Sequence, residues 1–181
     1  YRQVLEIYAT SIDYDPRASV SQEFFKKVQN KIHYAIHGHT AAELIVERAD
    51  AEKDFMGLLT FKGNQPTLSE ARTAKNYLDE KELRAMGQLV SGYLDFAERQ
   101  AEREQPMTMN DWANYLDRIL TMSGEQLLLD SGKVSHTEAM EHATNEYRKY
   151  KQRTISDVEQ DYLDSIKRIG NIGKKGDKNE N

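Results

Sequence analysis

Residues 79–101 read DEKELRAMGQLVSGYLDFAERQA. Leu83, Met86, Val90, Tyr93, Ala97 and Ala101 recur there at steps of three and four, with Leu94 beside Tyr93. That period puts the apolar side chains on one face of a helix, where a strand would alternate them between two faces. Asp79 and Glu82 open the stretch as a capping box, each side chain accepting the other residue's backbone N–H. The stretch therefore predicts one long amphipathic helix that ends before Pro106. Such a helix needs other apolar faces to cover its stripe, and the flanking sequence supplies them.

Upstream, Val4, Leu5, Tyr8 and Ile12 share a helical face with no cap before them, so we read a helix cut from a longer chain or trimmed by processing. The run Ile12 to Pro16 is a turn, because a residue before proline is pushed out of helical geometry. Ser19 or Ser21 caps a second helix carrying Phe24, Phe25, Val28, Ile32 and Ile36, and Gly38 ends it. Thr40 and Glu43 form another capping box, with Leu44, Ile45 and Ala49 inward and the helix fading near Lys53. Residues 55–61 are apolar and short, the one place for a short strand or an ordered loop. Thr67 or Ser69 caps a short helix through Leu78.

Downstream, Thr108 caps a helix with Trp112, Tyr115, Leu116, Ile119 and Leu120 inward. Asp130-Ser131-Gly132 breaks the pattern. Ser135 and Glu138 are a further capping box, opening a last helix that runs past Tyr147. Beyond it, Ile155, Val158, Tyr162, Leu163, Ile166 and Ile169 keep helical spacing, and a glycine- and lysine-rich end follows. No run of period-two alternation occurs. The expected fold is all-α: a single helical bundle-like domain of about six or seven helices. Residues 1–150 form the domain, 151–170 a protruding interaction helix and 171–181 a flexible tail. The stripe at Ile155, Val158, Tyr162 and Ile166 is expected to cover itself on a partner helix, a second copy of the chain or the helix beginning at Tyr1.

The chain has 181 residues, 38% hydrophobic and 30% charged. No stretch approaches the roughly 20 apolar residues of a membrane span, so no membrane partner is expected. No signal peptide is read. The lack of cysteine excludes a disulfide scaffold, a thiolate zinc site and a cysteine nucleophile, and suits a reducing cytoplasm. A net charge of -5 argues against a nucleic-acid surface over the whole domain and leaves room for a local basic patch. No cofactor motif is found.

Candidate chemistry is scattered. His33 and His37, four apart, share a helix face as zinc-binding histidines do, with Asp50 or His136 as a third ligand. The glutamate that completes a metalloprotease motif is absent between them. The competing reading is one packed histidine and two solvated ones with no metal, and it is the one we adopt. Asp50 lies between two alanines, which would let its carboxylate approach another helix or serve as a cap. Lys75 and Asn76 stand beside Tyr77 just before a helix start. Lys62-Gly63-Asn64 could form an anion nest, with a plain turn as the alternative. Asp95 and Arg99 should form an exposed ion pair. The Gly38-His39-Thr40 turn has the outline of a helix-turn-helix, but the acidic helix after it would repel phosphate. His33, Asp50, Lys75, Asn76 and His136 sit in or beside loops and helix ends, where side chains can converge on one pocket.

Five stretches closely resemble the RhuM family of bacterial virulence-associated proteins: 7–16, 28–35, 37–44, 48–51 and 74–78. So does 107–112. The resemblance runs from about Tyr1 to about Tyr150. It implies a longer parent protein with an N-terminal DNA-binding-like segment, through which nucleic acid would be a partner. It brings no catalytic residue to transfer. Two functions follow as expectations. One is an effector or oligomerisation domain that is not an enzyme. The other is an enzyme acting on a phosphate-containing substrate, such as nucleic acid or a nucleotide, through the five candidates above.

Overall fold

The long helix forms as its period predicts. In a computed structural model, which describes residues 2–154 and Tyr162, it is α5 (Glu80–Glu102). Around it lie α1 (Arg2–Ala9), α2 (Ser19–His37), α3 (Ala41–Arg48), the single turn α4 (Leu68–Ala71) and α6 (Met109–Met122). The helix α7 covers residues 136–154. Among the described residues there are seven α-helices and no strand, and no helix is long and apolar enough to cross a membrane. Two 3-10 turns, Asp54–Gly57 and Ala74–Tyr77, complete the regular structure.

The α5 stripe buries Met86 and Tyr93 against α1, α2 and α6. The Tyr93 hydroxyl lies 2.9 Å from both the Trp112 carbonyl and the Tyr8 hydroxyl. It donates to the carbonyl and accepts from Tyr8, so one buried oxygen joins three helices with its proton and a lone pair both used. Rings of Phe24 and Phe25 meet Tyr8 edge-on, the arrangement their quadrupoles favour. Lys31 of α2 and Asp117 of α6 add a half-buried ion pair at 2.6 Å.

The capping boxes at Thr40, Asp79 and Ser135 all form. Two more do as well, Thr67 with Glu70 and Thr108 with Asp111. Other local expectations are corrected. Neither Ser19 nor Ser21 caps α2: its cap is Ala18, with no side-chain hydrogen bond, and the Ser21 hydroxyl is buried without a partner. The helix α1 stops at Ala9, and Ile12 beyond it is 70% exposed. The helix expected from Thr67 through Leu78 is two pieces, broken at Arg72 and Thr73, where Asn76 draws its amide onto the Glu70 carbonyl. Asp95 and Arg99 form no ion pair. The helix spacing expected past Tyr150 holds as far as 154, where α7 ends among the described residues, and Arg153 donates to the carbonyls of Glu52 and Lys53. The interaction stripe at Ile155, Val158 and Ile166 and the tail 171–181 lie outside the described residues. Tyr162 is described and is 64% exposed.

The apolar run 55–61 is the ordered loop of the two alternatives, and it opens on an unusual turn. Phe55, Met56 and Gly57 are successive left-handed residues, with φ of 50°, 60° and 79°. Left-handed backbone costs about 1–2 kcal/mol at each residue with a side chain. The turn persists because Met56 is fully buried and Gly57 lies against the end of α3. A Cβ at Gly57 would stand 2.5 Å from the Arg48 carbonyl oxygen. Gly63, also left-handed at φ 76°, has open space around it and serves as a control. In urea denaturation, Gly57→Ala should lose about 3 kcal/mol and Gly63→Ala about 1 kcal/mol. Equal losses would show that the close approach to α3 is unimportant.

Candidate functional site

The end of α3 gathers three other elements. Arg48 donates Nη1 to the Tyr77 carbonyl at 2.8 Å and grips Glu82 bidentately at 2.6 and 2.7 Å. The hydrogen bonds from Arg48 hold the Glu82 carboxyl below its ordinary value, and Glu82 in turn raises Arg48. His142 donates Nε2–H to the Ala49 carbonyl, and Glu146 accepts the Ala51 N–H, so α7 is fixed to the same point. The start of α3 gathers the loop before α7. Glu43 accepts the Thr40 N–H at 2.7 Å and the Lys133 N–H at 2.6 Å. Burial acts to raise the Glu43 carboxyl, but these hydrogen bonds outweigh it and hold the group low. Gly132, at φ 84°, presses on Thr40, where a Cβ would stand 2.6 Å from the Thr40 methyl.

Both attachments leave a cleft of about 920 Å³ between α2, the start of α3, the 72–75 stretch and the start of α7. Lys26, Gln29, Asn30 and His33 line it from α2. Arg72 and Lys75 come from the middle of the chain, and Lys133, His136 and Glu138 from the loop and first turn of α7. Among the described residues no carboxylate pairs with Lys26, Lys75 or Lys133. The Arg72 guanidinium donates to the Thr144 hydroxyl. The one lining carboxylate, Glu138, accepts the Ser135 N–H. The cleft is thus positive in a chain of net charge -5. The loop amides do not add to it, since Gly132, Lys133 and Ser135 donate to Asp130, Glu43 and Glu138. An anion here would meet side chains, not a backbone nest.

Of the five residues singled out from the sequence, His33, Lys75 and His136 line this cleft, and Asp50 and Asn76 do not. Asp50 accepts the Glu52 N–H and stands 4.0 Å from Lys53, so it caps a turn. Asn76 is buried, its side chain donating to Glu70 and its carbonyl accepting from Leu59 and Thr60. Lys26, Arg72 and Lys133 were not foreseen. The signal for Lys133 was its place after Ser131-Gly132 and just before a capping box, a loop that leads into a helix start. Lys26 and Arg72 carried no local signal. Among the described residues no group of three His, Asp or Glu side chains could hold a metal ion.

His33 is buried, with Nδ1 3.0 Å from Nε2 of the half-buried His37. His37 Nδ1 is buried with no partner. The tautomer with the His37 proton on Nε2 leaves that nitrogen as a bare acceptor, which is less unfavourable than an orphaned N–H. Burial first lowers both rings to about 4; the charge of His37 adds to it at His33 and those of Arg48 and His39 at His37, with Glu82 acting in the opposite direction. The unfolded ring takes its proton near 6.5. Acidification between those values therefore favours the unfolded chain. The stability is fully present above about pH 6.5 and drains away as pH falls toward 4. From pH 7 to pH 5, His33 alone should lose about 2 kcal/mol. Urea denaturation of His33→Gln at the two pH values should show a correspondingly smaller loss, and an unchanged loss would mean that His33 is not held neutral.

No curated protein and no solved structure matches the chain. A family model described as the virulence protein RhuM family matches residues 1–158, most of its length and past the end of the resembling stretches. The chain belongs to the RhuM family.

Proposed function

We propose that this chain binds a phosphate-bearing ligand in the cleft between α2 and the start of α7. One observation carries the reading: Lys26, Lys75 and Lys133 converge there without carboxylate partners in a chain that is acidic overall. A lysine is a point-charge donor that suits phosphate, and several around one concavity focus the field on it. Gln29 and Asn30 supply neutral donors and acceptors beside the cations. His33 and His136 also line the cleft, and any transfer chemistry would rest on them.

The test is titration calorimetry with inorganic pyrophosphate at low salt. Wild-type chain should bind it. Lys75→Glu with Lys133→Glu should weaken binding about tenfold or more while leaving urea stability within about 0.5 kcal/mol, since neither lysine has a partner to lose. Unchanged affinity in the double variant, or no binding by the wild type, would overturn the reading.

A second reading, an effector or oligomerisation module, is favoured by an exposed apolar patch. Leu59 is 60% and Phe55 40% exposed, and the Phe55 and Phe61 rings lie 4.7 Å apart. If two copies meet on this patch, Leu59→Asp should lower the mass found by light scattering without lowering stability. A chain that is monomeric at high concentration before the substitution would exclude such a contact.

A further inference from the structure

The cleft does not end at Arg72. A second cavity of about 360 Å³ is lined by Arg72, Met140, Glu141, Thr144, Asn145 and Arg148. Arg72 and Met140 line both cavities, so the two adjoin along α7. At about 1.5 Å per residue, the stretch of α7 from His136 to Arg148 runs about 18 Å. Cations stand along it: Lys26, Lys133, Lys75 and Arg72 in the first part, and Arg148 in the second. Arg148 donates to the Asn145 carbonyl oxygen at 3.2 Å and has no carboxylate partner among the described residues. Two carboxylates, Glu138 and Glu141, line the groove against these five cations.

We infer that this groove holds one strand of nucleic acid, its phosphates tracking from Lys133 past Arg72 to Arg148. The inference rests on the phosphate-binding reading and adds the ligand's class and its course. A single phosphate or diphosphate would use one end of such a groove. A stacked strand places a charge about every 3.4 Å, so about five fall within 18 Å, and there are five cations to meet them. Gln29, Asn30 and Asn145 can meet base edges, and the planes of His136, Arg72 and Arg148 can take a base by stacking. A duplex is a convex rod whose bases face inward, so it would leave Gln29, Asn30 and the stacking planes unused. The overall charge of -5 provides no long-range attraction, so binding falls to these local contacts.

The experiment is fluorescence anisotropy with a labelled 12-nucleotide strand, as DNA and as RNA, with the same sequence as a duplex. The full chain should bind at least one of the two strands about tenfold or more tighter than it binds pyrophosphate. The slope of log affinity against log salt should be near -3, as about four or five neutralised phosphates of a single strand require. Arg148→Glu should weaken the strand about threefold or more and leave pyrophosphate binding unchanged. A preference for DNA or RNA would name the strand. Tighter binding of the duplex, a slope near -1, or an unaffected Arg148→Glu variant would overturn the inference while pyrophosphate binding still stood. Loss of pyrophosphate binding as well would remove the phosphate reading itself.

Discussion

The structure depends on how the two ends of α3 are satisfied. A helix leaves backbone groups without partners at each end, and burying them bare costs free energy. At the end of α3 the partners come from distant sequence. His142 and Glu146 of α7 take the Ala49 carbonyl and the Ala51 N–H, while Arg48 holds the Tyr77 carbonyl and Glu82. At its start, Glu43 both closes the capping box and takes the Lys133 N–H. An eight-residue helix is too short to hold itself in water. It persists because α5, α7 and the loop before α7 are all bonded to it.

The cleft is the geometric result. α7 is bonded to the end of α3 and the loop before it to the start of α3, so the first turns of α7 face α2 across a cleft. The polar atoms nearest that gap are already used: loop amides by Asp130, Glu43 and Glu138, and the His33 Nδ1 by His37. Among the described residues, the charged side chains left without a partner there are the cations Lys26, Lys75 and Lys133, with Gln29 and Asn30 beside them. The strained turn at Phe55 and Met56 belongs to the same construction, since its left-handed backbone lets Gly57 lie against the Arg48 carbonyl.

The helices were largely legible because periodicity and caps are local. The Asp79–Glu82, Thr40–Glu43 and Ser135–Glu138 boxes stand in the sequence as they stand in the fold. The Thr67–Glu70 and Thr108–Asp111 boxes were half seen, as caps only. The break at Arg72 was not legible, since it depends on Asn76 finding the Glu70 carbonyl. Nor was the left-handed turn, in which two non-glycine residues are held by tertiary packing. The site was legible in part. His33, Lys75 and His136 were noticed because they lie at helix ends. Asp50 and Asn76 shared that property and were spent on local hydrogen bonds. Lys26 and Arg72 are exposed cations with nothing unusual beside them, and only the fold brings them to Lys133.

The most direct measurement of the central claim is a crystal of the chain soaked in tungstate, a phosphate mimic whose anomalous scattering locates it without ambiguity. Density among Lys26, Lys75 and Lys133 is the expected result, lost in crystals of the Lys75→Glu, Lys133→Glu variant. Tungstate bound only elsewhere on the surface, with this cleft empty at full occupancy of the other sites, would contradict it.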